Sequence, residues 1–255
     1  MCFTVAIVRK AKLITAYEYY SHLPVVKEQE LPELPYYNLV SGFSHPRLAI
    51  VKEDGVFLHE WGLISRWAKD EETANTMRDR TLNAVGETVF EKASFRKCIT
   101  SQRCLLPVSG YYEWRDVKGV KYPYFVQSTE QDYFSLGSLY DTWVNKETGE
   151  IRNTFSIITT AANPLMEKIH NIKKRMPLMI ASADEMKWLD TGLKTEQIKE
   201  LIKPFPETKM NAYTISREAN NARNNRDVPE IMNKVEYKEL IEEDNTLFLN
   251  GRSNL

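Results

Sequence analysis

Short apolar runs, some alternating with polar positions and some continuous, recur through the first two thirds of the chain and predict a mainly β architecture. RLAIV (47–51) and VFLHEWGLI (56–64) flank Glu53-Asp54-Gly55, and an Asp-Gly step accommodates the positive φ of a tight turn, so a hairpin is expected there. CLLPVSGYYEW (104–114) alternates and is rich in β-formers, while YPYFVQS (122–128) and YFSLGSLY (133–140) flank the polar stretch Thr129 to Asp132 and read as a second hairpin. FSIITTAA (155–162) and RMPLMIAS (175–182) read as buried strands. Helices are fewer. ETVFEKASFRKCI (87–99) suits one or two short ones, Ser182 to Glu185 has the form of a capping box opening a helix through MKWL, and Thr195 to Lys203 supplies another. The Pro-containing Leu31 to Tyr36 reads as loop. Nothing repeats and no Gly/Ser-rich linker divides the chain. The expected fold class is α+β, a single domain around a curved, barrel-like, mainly antiparallel sheet with short flanking helices.

Composition narrows the class further. At 255 residues, 42% hydrophobic and 27% charged, the chain can bury a substantial core and is not of disordered composition. No stretch reaches the roughly 18 apolar residues of a membrane span, and the first residues lack the form of a secretory signal, so no membrane partner and a cytoplasmic location are expected. Three widely spaced cysteines make no disulfide framework, and Cys98 and Cys104 lack the C-x-x-C spacing of a zinc site, so neither a metal nor a cofactor is expected. The net charge of −1 hides local imbalance: Arg96, Lys97, Arg103, Arg115, Lys118 and Lys121 face only Glu113 and Asp116 between residues 96 and 125. Lys173-Lys174-Arg175 is a second basic run, against the acidic Glu242-Glu243-Asp244.

Cys2 follows the initiator methionine directly. Removal of Met1 would leave a free α-amine and a thiol on adjacent carbons, with ordinary pKa values of about 7.7–8.0 and 8.5, so each is partly deprotonated at neutral pH. Such an aminothiol condenses with aldehydes, the amine giving an imine and the thiolate closing a thiazolidine, whereas the plain alternative makes Cys2 a small apolar residue at a strand start. Trp61 and Trp67, around Arg66, have the composition of a single-strand stacking platform, or of core aromatics. Glu113, in Tyr111-Tyr112-Glu113-Trp114, faces solvent or a pocket that would raise its pKa into the range useful for proton transfer. His170 is a surface imidazole or an acid-base group. Asn83 precedes a helix-forming segment and reads equally well as a cap.

In order along the chain, several blocks resemble the SOS response-associated peptidase (SRAP) family: Cys2 after Met1, Tyr37-Asn38, Trp61-Gly62-Leu63-Ile64 with Trp67, Asn83-Ala84 with Glu87-Thr88, Phe95-Arg96 and RCLLPVSGYYEW (103–114). Pro123-Tyr124-Phe125, Ile158-Thr159-Thr160 with Ala162-Asn163, His170 and Arg175-Met176-Pro177 continue the match, which covers roughly residues 1 to 230. The resemblance implies an SRAP-like domain over 1–235 with an acidic tail over 236–255. It also implies a DNA-damage response protein, expected to be monomeric, that captures abasic sites in single-stranded DNA through an N-terminal cysteine thiazolidine, and a self-processing peptidase activity. Carried over by position, Cys2 is the nucleophile, Asn83 positions the terminus or the sugar, Glu113 moves protons and His170 assists ring opening.

The chain departs from the family pattern at Phe3 and Thr4, where Gly-Arg is usual, at Ser65 for proline and at Val85 for arginine. Ile172, Lys173 and Lys174 lengthen the segment between His170 and Arg175. With arginines absent at 4 and 85, phosphate contacts are expected from Arg66, Arg103, Lys173, Lys174 and Arg175, alongside stacking on Trp61 and Trp67. Two other classes fit the same residues: an N-terminal-nucleophile amidohydrolase that uses its own amine as base, and a non-catalytic single-strand binder.

Overall fold

A computed structural model describes residues 2–7 and 35–241. The fold is organised by strand β6, Arg103–Val117, fifteen residues long, in which aliphatic and aromatic side chains (Leu105, Leu106, Val108, Tyr111, Tyr112, Trp114) suit a pleated, buried strand between interspersed polar ones. The two halves of β6 serve different partners. Arg103 to Val108 pairs antiparallel with β8 (Phe134–Val144), and Tyr111 to Val117 pairs antiparallel with β7 (Val120–Ser128). The other edge of β6 receives β3 (Arg47–Lys52) at Leu105 and β1 (Thr4–Ile7) at Val108 to Tyr111.

Hydrogen bonding from β3 to β4 (Gly55–Trp61), from β4 in parallel to β9 (Ile151–Ala161), from β9 to β8 and from β8 back to β6 closes a mixed barrel. Shorter strands extend it. β2 (Val40–Ser41) pairs with β1, β5 (Asn83–Val85) and β10 (Arg175–Pro177) flank β9, β11 (Met179–Ile180) pairs with β8, and β12 (Met210–Thr214) lies beside β7. Helices α1 (Glu71–Arg80), α2 (Cys98–Ser101), α3 (Pro164–Ile169), α4 (Glu185–Leu189) and α5 (Thr195–Leu201) are short and peripheral. The expected single α+β domain around a barrel-like sheet is what the chain adopts.

Both faces of the barrel sheet are covered. Leu48, Ile50, Trp61, Leu106, Phe155 and Ile157 pack in one apolar cluster, and their strand neighbours Ala49, Val51, Leu105 and Ile158 pack in another. Two-sided burial is why these strands read as continuous rather than alternating apolar runs. Cys2 belongs to the first cluster, the face on which the site lies.

The hairpin over 47–61 forms as expected, with Lys52 opposite Gly55 and the positive φ of 140° carried by Gly55 alone. The expected 122–140 hairpin does not. Strands β7 and β8 both pair with β6 instead, and the tight hairpin is β6–β7 through Lys118-Gly119, both residues at positive φ (52° and 85°). Ser182 opens only a 3₁₀ turn, and α4 starts at Glu185 without a side-chain cap, so the capping-box reading is corrected. Helix α1 has a proper cap, Asp70 Oδ1 accepting from the Thr73 N–H at 2.7 Å, yet it buries only Ala74 and Met77, too few apolar positions to mark a periodic stripe. Leu31 to Leu34 of the expected loop and the acidic Glu242-Glu243-Asp244 lie outside the described residues. Tyr237 and Leu240 pack against Val117 and Tyr122, so the chain continues to contribute to the domain past residue 235. Among the described residues no helix is long and apolar enough to cross a membrane.

Gly110 sits where β6 passes from one set of partners to the other, and a Cβ there would lie 2.2 Å from the Phe125 ring. Gly110→Ala is expected to cost about 1–3 kcal/mol through overpacking, read as a lower denaturation midpoint with an unchanged denaturant slope.

Candidate functional site

The pairing of β1 with β6 builds the site. Its register, Val5 opposite Tyr111 and Ala6 opposite Gly110, points the preceding residues Cys2 and Phe3 towards Glu113. Strand alternation places Tyr111 and Glu113 on one face of β6, and both are buried. From the other side, Asn83 at the start of β5 donates from Nδ2 to the carbonyl oxygen of Cys2 at 2.8 Å. Asn83 is therefore a strand residue holding the first peptide units, and its reading as a helix cap is corrected. His170 closes α3, whose N-terminus is capped by Asn163. Its Nδ1 lies 2.8 Å from the Arg175 carbonyl oxygen and 3.9 Å from Glu113 Oε1. A carbonyl only accepts, so Nδ1 carries the proton and Nε2 is left as the basic nitrogen.

Electrostatics follow from burial. Glu113 is 3% exposed, and the loss of water raises its carboxyl from 4.5 to about 7. Desolvation likewise lowers His170 to about 4, so the imidazole is neutral at physiological pH. It is not the surface imidazole of the plain reading. The Cys2 side chain is fully buried, and its thiol is pushed far above the ordinary range by burial and by the neighbouring Glu113. This corrects the expectation of a partly ionised thiol: the resting sulfur is protonated, with Sγ 3.9 Å from the Thr4 carbonyl oxygen. The cysteine lies within the site and not at a free surface.

The residues expected to touch DNA divide sharply. Trp61 is fully buried, stacked on Phe155 with centroids 6.0 Å apart, its indole N–H donating to the Leu82 carbonyl oxygen at 2.8 Å. It supports the residue before Asn83 and offers no platform. Arg103 is buried too, and its guanidinium donates to the carbonyl oxygens of Trp188, Ile99, Thr100 and Asp190, tying α2 and α4 to β6. Arg175 forms a two-toothed pair with Glu87 (2.6 and 2.7 Å) and also reaches the Thr159 carbonyl oxygen. Arg66 is engaged by the buried Asp141 at 2.8 and 3.0 Å, although its outer surface is open. Trp67 is half exposed, and Lys173 and Lys174 are exposed on the loop after His170.

Two neighbours of the site escaped the sequence reading. Tyr111 lies two residues before Glu113 on the same face of β6, which strand alternation would have revealed. Its hydroxyl is buried without a hydrogen-bond partner among the described residues. Asn171 donates from Nδ2 to the Asp116 carbonyl oxygen at 2.7 Å and accepts from the Asp116 N–H at 3.1 Å, fastening the His170 loop to the strand that carries Glu113. No sequence signal marks that clamp. Among the described residues no three His, Cys, Asp or Glu side chains converge as a metal site requires.

A barrel that buries a cysteine near the chain start beside a neutralised carboxyl, a neutral imidazole and an amide defines a class of protein built around that cysteine. The chain belongs to the SOS response associated peptidase (SRAP) family, whose pattern it matches over residues 1–222. It is similar to the abasic site processing protein YoqW of Bacillus subtilis, with 34% identity over 205 residues, spanning 78% of this chain and 88% of that protein. It is also similar to the abasic site processing protein HMCES of Xenopus tropicalis, with 29% identity over 192 residues, spanning 68% of this chain and 55% of that one. A crystal structure of a Bacteroides thetaiotaomicron protein, 38% identical, superposes with a TM-score of 0.84 over 92% of this chain and all of that one. A Bordetella bronchiseptica structure at 19% identity shares the fold, with a TM-score of 0.69.

Glu113 makes stability depend on pH with a definite sign. Between about 4.5 and 7 the folded chain holds a proton on this carboxyl that the unfolded chain has released, so stability falls as pH rises through that window. His170 acts in the opposite sense between about 4 and 6.5. Comparing wild type with Glu113→Gln isolates the carboxyl: the variant is expected to be more stable at pH 8, by on the order of 3 kcal/mol, and little changed at pH 4 in chemical denaturation.

Proposed function

We propose that this protein captures abasic sites in single-stranded DNA by forming a thiazolidine between Cys2 and the ring-opened deoxyribose aldehyde. The observation that carries the reading is the convergence of Asn83, Glu113 and His170 around Cys2 in a chain whose relatives bear the name abasic site processing protein.

Removal of Met1, by an aminopeptidase or by hydrolysis within the site itself, exposes the α-amine of Cys2. His170 Nε2, neutral and basic, takes the proton from the sugar's hemiacetal hydroxyl and returns it to the ring oxygen as the bond from that oxygen to C1′ breaks, which frees the aldehyde and leaves a hydroxyl at C4′. The amine adds to the aldehyde carbon to give a carbinolamine, with a proton passing from nitrogen to oxygen. Protonated Glu113 then gives its proton to the departing hydroxyl, which leaves as water, and its carboxylate takes up the proton still on the nitrogen, so that the neutral imine forms and Glu113 is protonated again. Cys2 Sγ adds to the imine carbon while its proton passes to the imine nitrogen, closing the five-membered ring. The balance is one aldehyde and one aminothiol giving one thiazolidine and one water. Asn83 orients the Cys2 peptide unit so that amine and sulfur face the same carbon. No cofactor enters. Lys173, with the open side of Arg66 and the half-exposed Trp67, is placed to meet the strand, and Lys174 is exposed as well, its ammonium 3.8 Å from Glu167.

Intact-mass analysis after mixing with an abasic single-stranded oligonucleotide is expected to show a chain starting at Cys2 and an adduct heavier by the oligonucleotide less one water. Cys2→Ala should give none, and a normal adduct from that variant would sink the reading. Glu113→Gln is expected to slow adduct formation by about 10²- to 10⁴-fold. The wild-type rate should fall above pH 7 as Glu113 loses its proton, a limb the variant lacks. Replacing Lys173 or Lys174 by Ala should weaken binding across sequences and reduce the salt slope of affinity by about one each.

A further inference from the structure

Phe43 is 66% exposed, yet it stands on a turn restrained from several sides. The turn, a single 3₁₀ step over Gly42–Ser44, is closed by the His45 N–H donating to the Gly42 carbonyl oxygen at 2.9 Å, and the Ser44 hydroxyl donates to the Ser41 carbonyl oxygen at 2.7 Å. Gly42 lies flat on Trp61, where a Cβ would approach the indole to 3.0 Å. His45, in the left-handed region at φ 48°, reaches the Trp61 carbonyl oxygen (2.8 Å) and Asp79 (3.0 Å). The Gly42 N–H donates to the Phe3 carbonyl oxygen at 2.8 Å, joining the turn to the residue that follows Cys2. The rings of Phe3 and Phe43 meet with centroids 4.9 Å apart and planes tilted by 37°.

We propose that Phe43, backed by Phe3, is the stacking platform for the nucleobase that flanks the abasic position in the bound single strand. This rests on the abasic-site reading and adds the group that holds the neighbouring nucleotide. Reach supports it. Phe3 follows the residue that bonds the sugar, and the turn of Phe43 is tied to Phe3 by the Gly42 N–H and by the ring contact, so the exposed ring stands beside the bonding residue along the chain. Charge supports it as well. The guanidinium groups of Arg103 and Arg175 are engaged inside the protein, so the basic groups open to the strand are fewer than the sequence offers and an uncharged stacking contact adds to them. A phenyl face accepts any base, so the platform is indifferent to sequence.

The test uses a single-stranded oligonucleotide with 2-aminopurine beside a tetrahydrofuran abasic analogue, which has no aldehyde and so reports binding without chemistry. Wild type is expected to quench the 2-aminopurine. Phe43→Ala, whose thermal midpoint should match wild type because the ring is exposed, is expected to abolish the quenching. It should also weaken binding about five- to 150-fold, by the same factor at low and high salt, and Phe43→Trp should restore both. Phe43→Ala binding within twofold of wild type, or quenching that persists in it, would overturn the platform. Failure of the wild type to form an adduct with an aldehyde-bearing strand sinks the abasic reading itself. An adduct together with unaltered Phe43→Ala binding sinks only the platform.

Discussion

The structure depends on keeping one carboxyl group out of water. Glu113 sits on β6 opposite Tyr124 of β7 and just past the last β1 pairing at Tyr111, its side chain is 3% exposed, and desolvation holds about half of it protonated near neutrality. The same exclusion of water acts on His170 with the opposite chemical result, since the charged form of an imidazole is the acid. One physical cause therefore yields a protonated acid and a free base at the same pH, two groups whose pKa values an aqueous surface would place in the reverse order. The pairing of β1 that buries Glu113 is also what delivers Cys2 to it. Fold and chemistry are consequences of one register.

Most of the strands were legible from short apolar runs and β-forming residues, and the alternating RCLLPVSGYYEW fell on the longest strand. Pairing was less legible. The stretch between residues 128 and 134 has the look of a hairpin turn, but β6 is long enough to offer separate lengths of edge to β7 and β8, and the local signal carries no information about that competition. Helix α1 escaped for a different reason: held by a cap and two buried side chains, it has almost no apolar stripe to read. At the site, Cys2, Asn83, Glu113 and His170 were found through the family's ordered blocks, and their proximity depends on contacts across 81 residues for Asn83 and Cys2. Tyr111 was within reach of plain alternation. Asn171 was not, because a side chain that binds a backbone amide 55 residues away leaves no pattern in the sequence.

Basic residues show where composition misleads. Arg103 and Arg175 look like phosphate ligands in a chain that lacks arginine at positions 4 and 85, yet both are spent on architecture. Arg103 gathers four carbonyl oxygens that end helical turns, where a guanidinium complements the negative helix terminus. Arg175 locks Glu87 and Thr159, and its carbonyl oxygen sets the His170 tautomer. The second role is the more consequential. Moving the Arg175 side chain away would cost Glu87 its two-toothed partner, leaving it only the Ala161 N–H at 3.2 Å, while the carbonyl oxygen of Arg175 stays held by the pairing of β10 with β9.

The lengthened segment between His170 and Arg175 is held separately from that pair. Asn171 fastens its near end to Asp116, Lys174 turns it through a left-handed step at φ 48°, and Lys173 projects outward between them without structural duty in the imidazole contact. Positive charge is thereby exposed on the loop after His170, while Arg175 behind it stays paired with Glu87 and gives its carbonyl oxygen to the histidine. A lysine suits that position: its compact, hydrated charge on a flexible stem attracts phosphate from many directions without demanding the fixed two-toothed geometry in which Arg175 is already engaged. The lysines of the loop and the tautomer of His170 are thus governed by different contacts, the loop by Asn171 on Asp116 and the imidazole by the Arg175 carbonyl oxygen.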